Sequence, residues 1–115
     1  MKLEDTKRLL SRDLESSDAT ELLVNVLQAA IELLSIEDND FAWSSWRDAD
    51  EAVAEVKAIL AIVESGELPE RIGVSVIFAP TGPMQEVSLS SGWSDAFLKV
   101  AERFDYAEKQ LWGVG

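Results

Sequence analysis

Carboxylates are the largest group of side chains in this sequence that could take part in chemistry. The chain of 115 residues contains 22 Asp and Glu but no histidine and no cysteine. The commonest general base, the commonest zinc ligand and the thiolate nucleophile are therefore missing. Serines are present, but no Gly-x-Ser-x-Gly sequence, no phosphate-binding loop and no neighbouring base accompanies them. We predict a protein that is not an enzyme and that uses no cofactor.

The acidic segment that begins at Glu37 is the first candidate for a metal site. The segment Glu37-Asp38-Asn39-Asp40 carries oxygen ligands at alternate positions, as a calcium-binding loop does. The rest of that signature is missing, because no glycine follows the acids and the twelfth position, counted from Glu37, is Asp48 rather than Glu. We therefore predict an acidic turn and no metal site.

A pair of tryptophans in the next segment is the most unusual local feature. Trp43 and Trp46 lie three residues apart and next to Arg47, within a predicted loop. Tryptophan and arginine are among the side chains most enriched in protein-binding hot spots. Both indoles could instead cover the end of the hydrophobic core, since a small domain needs large side chains to close it. The sequence leaves these two interpretations open.

The net charge of −12 restricts the partners that this chain could bind. Residues 37–70 hold ten acids against two bases, Arg47 and Lys57. This charge would repel nucleic acid and anionic membrane, so we expect neither, but it would attract and steer a basic protein. The predicted binding surface has three anchors and seven steering acids: Trp43, Trp46 and Arg47, with Glu37, Asp38, Asp40, Asp48, Asp50, Glu51 and Glu55.

Four segments carry the apolar period of about 3.6 residues that is typical of helices. We predict helices over about 3–15, 18–35, 48–65 and 93–112. The second of these is the centre of the domain, because it is apolar on most of its circumference. Its polar residues form one narrow stripe, which we expect to face solvent: Glu21, Asn25, Gln28, Glu32 and Ser35. If another helix covered the stripe, burial would raise the pKa of Glu32.

After Arg71 the apolar period changes from 3.6 to 2, which predicts strands over about 71–79 and 84–90. The segment Pro80-Thr-Gly-Pro83 between them is typical of a turn. The predicted fold is an α+β single domain of order α-α-α-β-β-α, with helices packed on one face of an antiparallel β-hairpin. A pocket between hairpin and helices would be lined by Phe78, Trp93 and Phe97.

The acidic, cysteine-free composition resembles that of small bacterial immunity and antitoxin proteins. This resemblance implies an inhibitor of a basic partner, such as a toxin or a nuclease. Two alternatives stay open: a structural homodimer whose acidity only serves solubility, and a domain that binds a small molecule in the predicted pocket. The charged residues near Met1 do not suit a signal peptide, and no apolar run approaches the ~20 residues that span a bilayer, so we expect a cytoplasmic protein.

Overall fold

The computed structural model describes residues 3–12 and 18–113. This part of the chain forms six α-helices: α1 Glu4–Leu10, α2 Ala19–Leu34, α3 Ala49–Glu64, α4 Arg71–Phe78, α5 Pro83–Ser91 and α6 Ser94–Trp112. It contains no β-strand, so the predicted α+β class and its hairpin are wrong. No helix in these two ranges has the length and apolar content that a membrane crossing requires.

Helices α2 and α3 begin at aspartate caps. The Asp18 carboxylate accepts a hydrogen bond of 3.0 Å from the Glu21 backbone N–H, and the Asp48 carboxylate accepts one of 3.0 Å from that of Glu51. Each bond satisfies one of the backbone donors that a helix start leaves free. The observed helices therefore start within one residue of the predicted positions.

Helix α2 is the centre of the core and packs against α1, α3 and α6. Most of its circumference is buried, at 8% exposure or less: Leu22, Leu23, Asn25, Val26, Leu27, Ala29, Ala30, Leu33 and Leu34. All of these residues except Asn25 belong to one hydrophobic cluster, to which α3 to α6 also contribute. The apolar character of this stretch is thus explained by neighbours on three sides.

Helix α1 lies over the middle of the polar stripe of α2, at Glu32, whereas the sequence predicts that the whole stripe faces solvent. The two ends of the stripe, Glu21 and Ser35, are exposed as predicted. The Glu32 carboxylate accepts hydrogen bonds of 2.9 Å from the backbone N–H groups of Asp5 and Thr6. Partial burial acts to raise the pKa of Glu32, but these two bonds lower it below its ordinary value. Glu32 therefore caps α1 from another helix. The helix predicted over 3–15 ends at Leu10, and residues 13–15 lie outside the described ranges.

The first predicted strand is helix α4, and its burial follows a helical period. Val74, Ile77 and Phe78 are buried, whereas Ile72 and Val76 are 67% and 53% exposed. Nearly every position from 71 to 79 is apolar or small, so periods of 2 and of 3.6 both fit the sequence. Packing against the neighbouring helices selects the helical period of 3.6, and this packing leaves Ile72 and Val76 in solvent.

The second predicted strand, 84–90, is helix α5. Pro83 occupies the first turn, and Gly92 at the other end has a φ of 87°. A proline at the start of a segment and a glycine just after its end are typical of a helix, because proline needs no N–H donor there and glycine adopts positive φ easily. These two residues were the signal that the strand interpretation overlooked.

Gly82 makes the short turn between α4 and α5. Its N–H donates to the Ala79 carbonyl oxygen at 2.9 Å, and a Cβ at this position would overlap the carbonyl oxygen of Val76. The turn therefore has room only for glycine. It brings α5 back beside α4, and both helices pack against α6, where the rings of Phe78 and Phe104 stack with centroids 4.7 Å apart.

Candidate protein-binding surfaces

Trp43 and Trp46, which the sequence does not distinguish, differ in their exposure to solvent. Trp43 is 73% exposed, whereas Trp46 is 3% exposed and belongs to the hydrophobic core. A buried indole offers a partner no surface, so Trp46 does not serve as an anchor in this structure. Trp43 is the large aromatic side chain that the surrounding segment, residues 36–48, presents to solvent. We call this segment the Trp43 loop.

The Trp43 loop is fastened to three helices by hydrogen bonds. The Asn39 amide nitrogen donates to the Leu33 carbonyl oxygen at 2.9 Å, and its amide oxygen accepts from Trp93 Nε1 at 2.9 Å. The Asp40 N–H donates to Ser91 Oγ at 2.8 Å. These contacts tie the loop to the end of α2, the end of α5 and the start of α6.

Further hydrogen bonds hold the backbone on both sides of Trp43. The Ala42 N–H donates to the Asp40 carboxylate at 2.9 Å. Ser44 Oγ donates to the Phe41 carbonyl oxygen at 3.0 Å and accepts from the Trp46 N–H at 3.2 Å. These hydrogen bonds fix the backbone on both sides of Trp43 in the unbound protein.

The charged residues of the predicted surface lie in and next to this loop. The Arg47 guanidinium is 81% exposed and lies 3.4 Å from the Glu51 carboxylate, which also accepts the Arg47 backbone N–H at 3.0 Å. Asp40 and Glu51 are partly buried, and five acids are exposed: Glu37, Asp38, Asp48, Asp50 and Glu55. Among the residues that the structure describes, no three carboxylates converge as metal ligands would.

A shallow depression of about 410 Å³ lies where the Trp43 loop leaves α2 and enters α3. Its lining combines the end of α2 with the first turns of α3: Ser35, Ala49, Asp50, Val53, Ala54 and Lys57. Because the loop connects Ser35 to Ala49, this hollow adjoins both of its ends.

The three residues of the predicted pocket do not form one site. Phe78, Trp93 and Phe97 are all buried, at 3%, 9% and 1% exposure. Phe78 and Phe97 line a half-open groove of about 440 Å³ between α4 and α6, but Trp93 is not among its lining residues and binds Asn39 instead. The predicted pocket required a hairpin, and the helix α4 that replaces it creates a different opening, which we call the α4–α6 groove.

The α4–α6 groove is acidic on its α6 side. Glu102 and Asp105 line it together with Leu98 and Ala101. Partial burial raises the pKa of Asp105, the negative charges of Glu108 and Glu102 add to this effect, and Lys109 opposes it. The raised pKa means that the folded protein holds the negative charge at this position at some energetic cost.

Two features of these surfaces were not singled out from the sequence. Asn39 holds the Trp43 loop, but its partner Trp93 is 54 residues away and no spacing rule connects them. The sequence prediction places Ile72 and Val76 in a strand and gives Leu98 no role, whereas the structure exposes all three side chains. Their exposure depends on which helices cover them, which local periodicity does not reveal.

Comparison of this chain with models of protein families, with curated proteins and with solved structures finds no match in any of the three. Function must therefore be argued from the two surfaces. The Trp43 loop and the α4–α6 groove each combine exposed apolar groups with neighbouring acids.

Proposed function

We propose that this protein is a non-catalytic binding module that docks a basic partner protein through the Trp43 loop. The observation that carries the proposal is the 73% exposure of Trp43 on a loop that hydrogen bonds hold in place. An indole inserted into a partner's pocket is a common hot spot. Trp43 is therefore the proposed anchor.

The fixed backbone of the loop supports this role. Ordering a flexible loop on binding costs conformational entropy, which reduces affinity. Here the Asn39 and Asp40 contacts already hold the loop in the unbound protein. An indole has only two side-chain torsions, so little further freedom is lost when a partner encloses the ring.

The acids around the loop define the chemistry of the partner. The exposed carboxylate of Asp50 lines the depression, and that of Glu55 lies further along α3. The exposed carboxylates of Glu37 and Asp38 lie in the loop itself. A complementary partner would have an apolar pocket for the indole and a rim of lysine and arginine. An inhibitor that neutralises a basic toxin or nuclease in the cytoplasm is the most concrete form of this proposal.

The homodimer alternative receives less support. Two copies would each have a net charge of −12, and this repulsion would have to be overcome by their contact. No specific observation favours a small-molecule ligand, since the three residues of the predicted pocket are not assembled. A basic partner explains both the exposed Trp43 ring and the acids around it, whereas neither alternative explains both.

The test begins with affinity capture of basic proteins from the cells that produce this protein, followed by measurement of the dissociation constant with a purified partner. Trp43→Ala should raise the dissociation constant by about 30-fold or more, as expected for a hot-spot tryptophan. Leu89→Ala, at a 64% exposed residue on α5, is the matched control and should leave it unchanged. Equal affinities for wild type and Trp43→Ala would contradict the proposal.

Steering is tested separately by the association rate. Asp50→Lys and Glu64→Lys change the net charge equally, and both residues are exposed acids on α3. Asp50 lies in the first turn of α3, which follows the Trp43 loop, whereas Glu64 lies at the other end of the helix, ~20 Å away by the helical rise. Asp50→Lys should slow association more than Glu64→Lys, with the difference largest at low salt. Identical rates for the two variants would exclude a steering role for this region.

A further inference from the structure

The outward face of α4 is apolar and lacks charge. Residues 72–85 contain no charged side chain, although 28% of the chain is charged. Ile72 and Val76, one helical turn apart, are 67% and 53% exposed. By the helical period, Ser75 and Ala79 of the groove wall lie on the same side. The exposed aliphatic side chains therefore continue one wall of the α4–α6 groove onto the surface.

The opposite wall and the floor of the groove are also apolar. Leu98 on α6 is 58% exposed and lines the groove beside Ala101. The floor consists of the buried rings of Phe78, Phe97 and Phe104. Because the stacking of Phe78 on Phe104 joins α4 to α6, the groove is part of the packed core and is already formed in the unbound protein.

Charge is distributed unequally across the groove. The α6 side carries Glu102 and Asp105, whereas the α4 side contributes Ser75, Phe78 and Ala79. No lysine or arginine is among the lining residues. A ligand that fits would present apolar side chains to the α4 wall and the floor, and cationic groups to α6.

We propose that the α4–α6 groove is a second interface, which binds an amphipathic helix of a partner protein with lysine or arginine beside its apolar ridge. Helices bind in grooves through apolar side chains spaced at i, i+3, i+4 and i+7, and a half-open groove between two helices suits such a ridge. Cations on that helix would pair with Asp105 and would compete with Arg103 for Glu102, whose carboxylate lies 3.4 Å from Arg103 Nη1.

A second copy of this chain is a poorer occupant. In a two-fold symmetric dimer the same patch lies on both subunits, so the carboxylates of Glu102 and Asp105 from both copies would lie in one interface. Each copy would also bring the net charge of −12 to the contact. Charge complementarity therefore selects a basic helix. This interface is distinct from the Trp43 loop and does not depend on the function proposed for it.

The experiment uses a fluorescently labelled synthetic helix with leucine at i, i+3, i+4 and i+7 and with lysine and alanine elsewhere. Its binding to the full chain is measured by fluorescence anisotropy. One control peptide has the same composition with the leucines distributed around the helix, and another keeps the ridge but replaces lysine by glutamate. The ridge peptide with lysine should bind at least about tenfold more tightly than either control.

Variants of the protein locate the binding site. Leu98→Ser should weaken binding of the ridge peptide about tenfold, whereas Leu89→Ser, at a similarly exposed leucine outside the groove, should have no effect. Asp105→Lys should weaken binding more than Asp95→Lys, which makes the same charge change outside the groove. Trp43→Ala should bind the peptide as wild type does, so this result is independent of the test on the Trp43 loop.

Three results would overturn the proposal. The first is absence of binding, or equal binding of the ridge peptide and the peptide with scattered leucines. The second is an equal effect of Leu98→Ser and Leu89→Ser. The third is a dimer of the wild-type chain, seen by sedimentation, that Leu98→Ser dissociates and Leu89→Ser does not. That outcome would assign the groove to a second copy of this chain.

Discussion

The Trp43 loop and the α4–α6 groove expose apolar groups to solvent in opposite ways. The loop projects one large ring outward from a frame of hydrogen bonds. The groove recedes between two helices, with aliphatic side chains on its walls and aromatic rings in its floor. The loop thus has the shape to fill a partner's pocket, whereas the groove has the shape to receive a partner's side chains.

The two surfaces also differ in what keeps them in place. Polar contacts of single residues, Asn39 above all, hold the loop. The groove is shaped by packed rings and by a turn at Gly82 that has no room for a side chain. Hydrogen bonds can be removed one at a time, whereas core packing fails more cooperatively. Substitutions should therefore disturb the two surfaces through different mechanisms and by different amounts.

The largest difference is expected between the two tryptophans of the loop segment. Trp46→Ala should lower the free energy of unfolding by about 3–5 kcal/mol, because it removes a buried indole from the core. Trp43→Ala should change it by less than about 0.5 kcal/mol, because the ring is largely in solvent. Denaturation in urea measures both values. Similar losses for the two variants would place both rings in the core.

A substitution at Gly82 tests the turn that positions the groove. Gly82→Ala should destabilise the protein by about 1–3 kcal/mol, because its Cβ overlaps a backbone carbonyl that cannot move independently. The control is Gly73→Ala on the exposed side of α4, where nothing lies within 4 Å of the added Cβ. It should stabilise the helix by about 0.5–1 kcal/mol. Thermal unfolding of both variants would reveal opposite signs, and a neutral Gly82→Ala would refute this view of the turn.

Removal of the Asn39 side chain tests how the loop is held. Asn39→Ala should cost about 1–2 kcal/mol, since it removes one donor to the Leu33 carbonyl oxygen and the acceptor of the Trp93 indole N–H. Amide hydrogen exchange in residues 36–48 should become faster while exchange in α4 and α6 stays slow. Asn39→Asp keeps an acceptor for Trp93 and should have the smaller effect. Unchanged exchange in Asn39→Ala would show that other contacts fix the loop.

Glu32 provides a test by pH away from both surfaces. Its pKa is lowered in the folded protein, so its contribution to stability is present above the ordinary pKa of a glutamate and is lost as pH falls through the lowered value. Glu32→Gln should therefore destabilise the protein by about 1 kcal/mol at neutral pH. The difference from wild type should shrink in acid, as measured by urea denaturation across a pH series. A constant difference would exclude the carboxylate cap of α1.

Asp105 in the groove should show the opposite sign and the smallest effect. Its pKa is raised, so the stability linked to this group is present below the ordinary pKa of an aspartate and is lost as pH rises through the raised value. Asp105→Asn should be slightly more stable than wild type at neutral pH, by less than about 0.5 kcal/mol because the residue is exposed. The gain should vanish in acid. A loss of stability at neutral pH would mean that the charge is well compensated.

Helices α2, α3 and α6 were the part of the fold that sequence could predict. Their apolar period is long, and the caps at Asp18 and Asp48 mark where α2 and α3 begin. Helices α4 and α5 were mistaken for strands because each is short and its apolar residues fit two periods. The alternation that misled the prediction included Ile72 and Val76, the two side chains that α4 exposes. The wrong strand prediction therefore concerned Ile72 and Val76, which lie beside the α4–α6 groove.

The sequence predicts the position of the Trp43 loop, but it does not predict which residues of the loop are exposed. Two tryptophans in a loop have no periodicity that assigns one to the core and the other to solvent. The outcome depends on contacts with residues far along the chain, such as the bond from Trp93 to Asn39. The polar stripe of α2 was misjudged for the same reason, because the sequence does not show that α1 lies over it.

Quenching of tryptophan fluorescence tests the separation of Trp43 from Trp46 most directly. Acrylamide is the main quencher and iodide the comparison, since the acidic surface repels iodide. We predict that Trp43→Phe removes the largest quenchable part of the emission and that Trp46→Phe leaves that part intact. If Trp43→Phe leaves quenching unchanged, or if Trp46→Phe abolishes it, Trp43 is not the exposed ring and the proposed anchor is wrong.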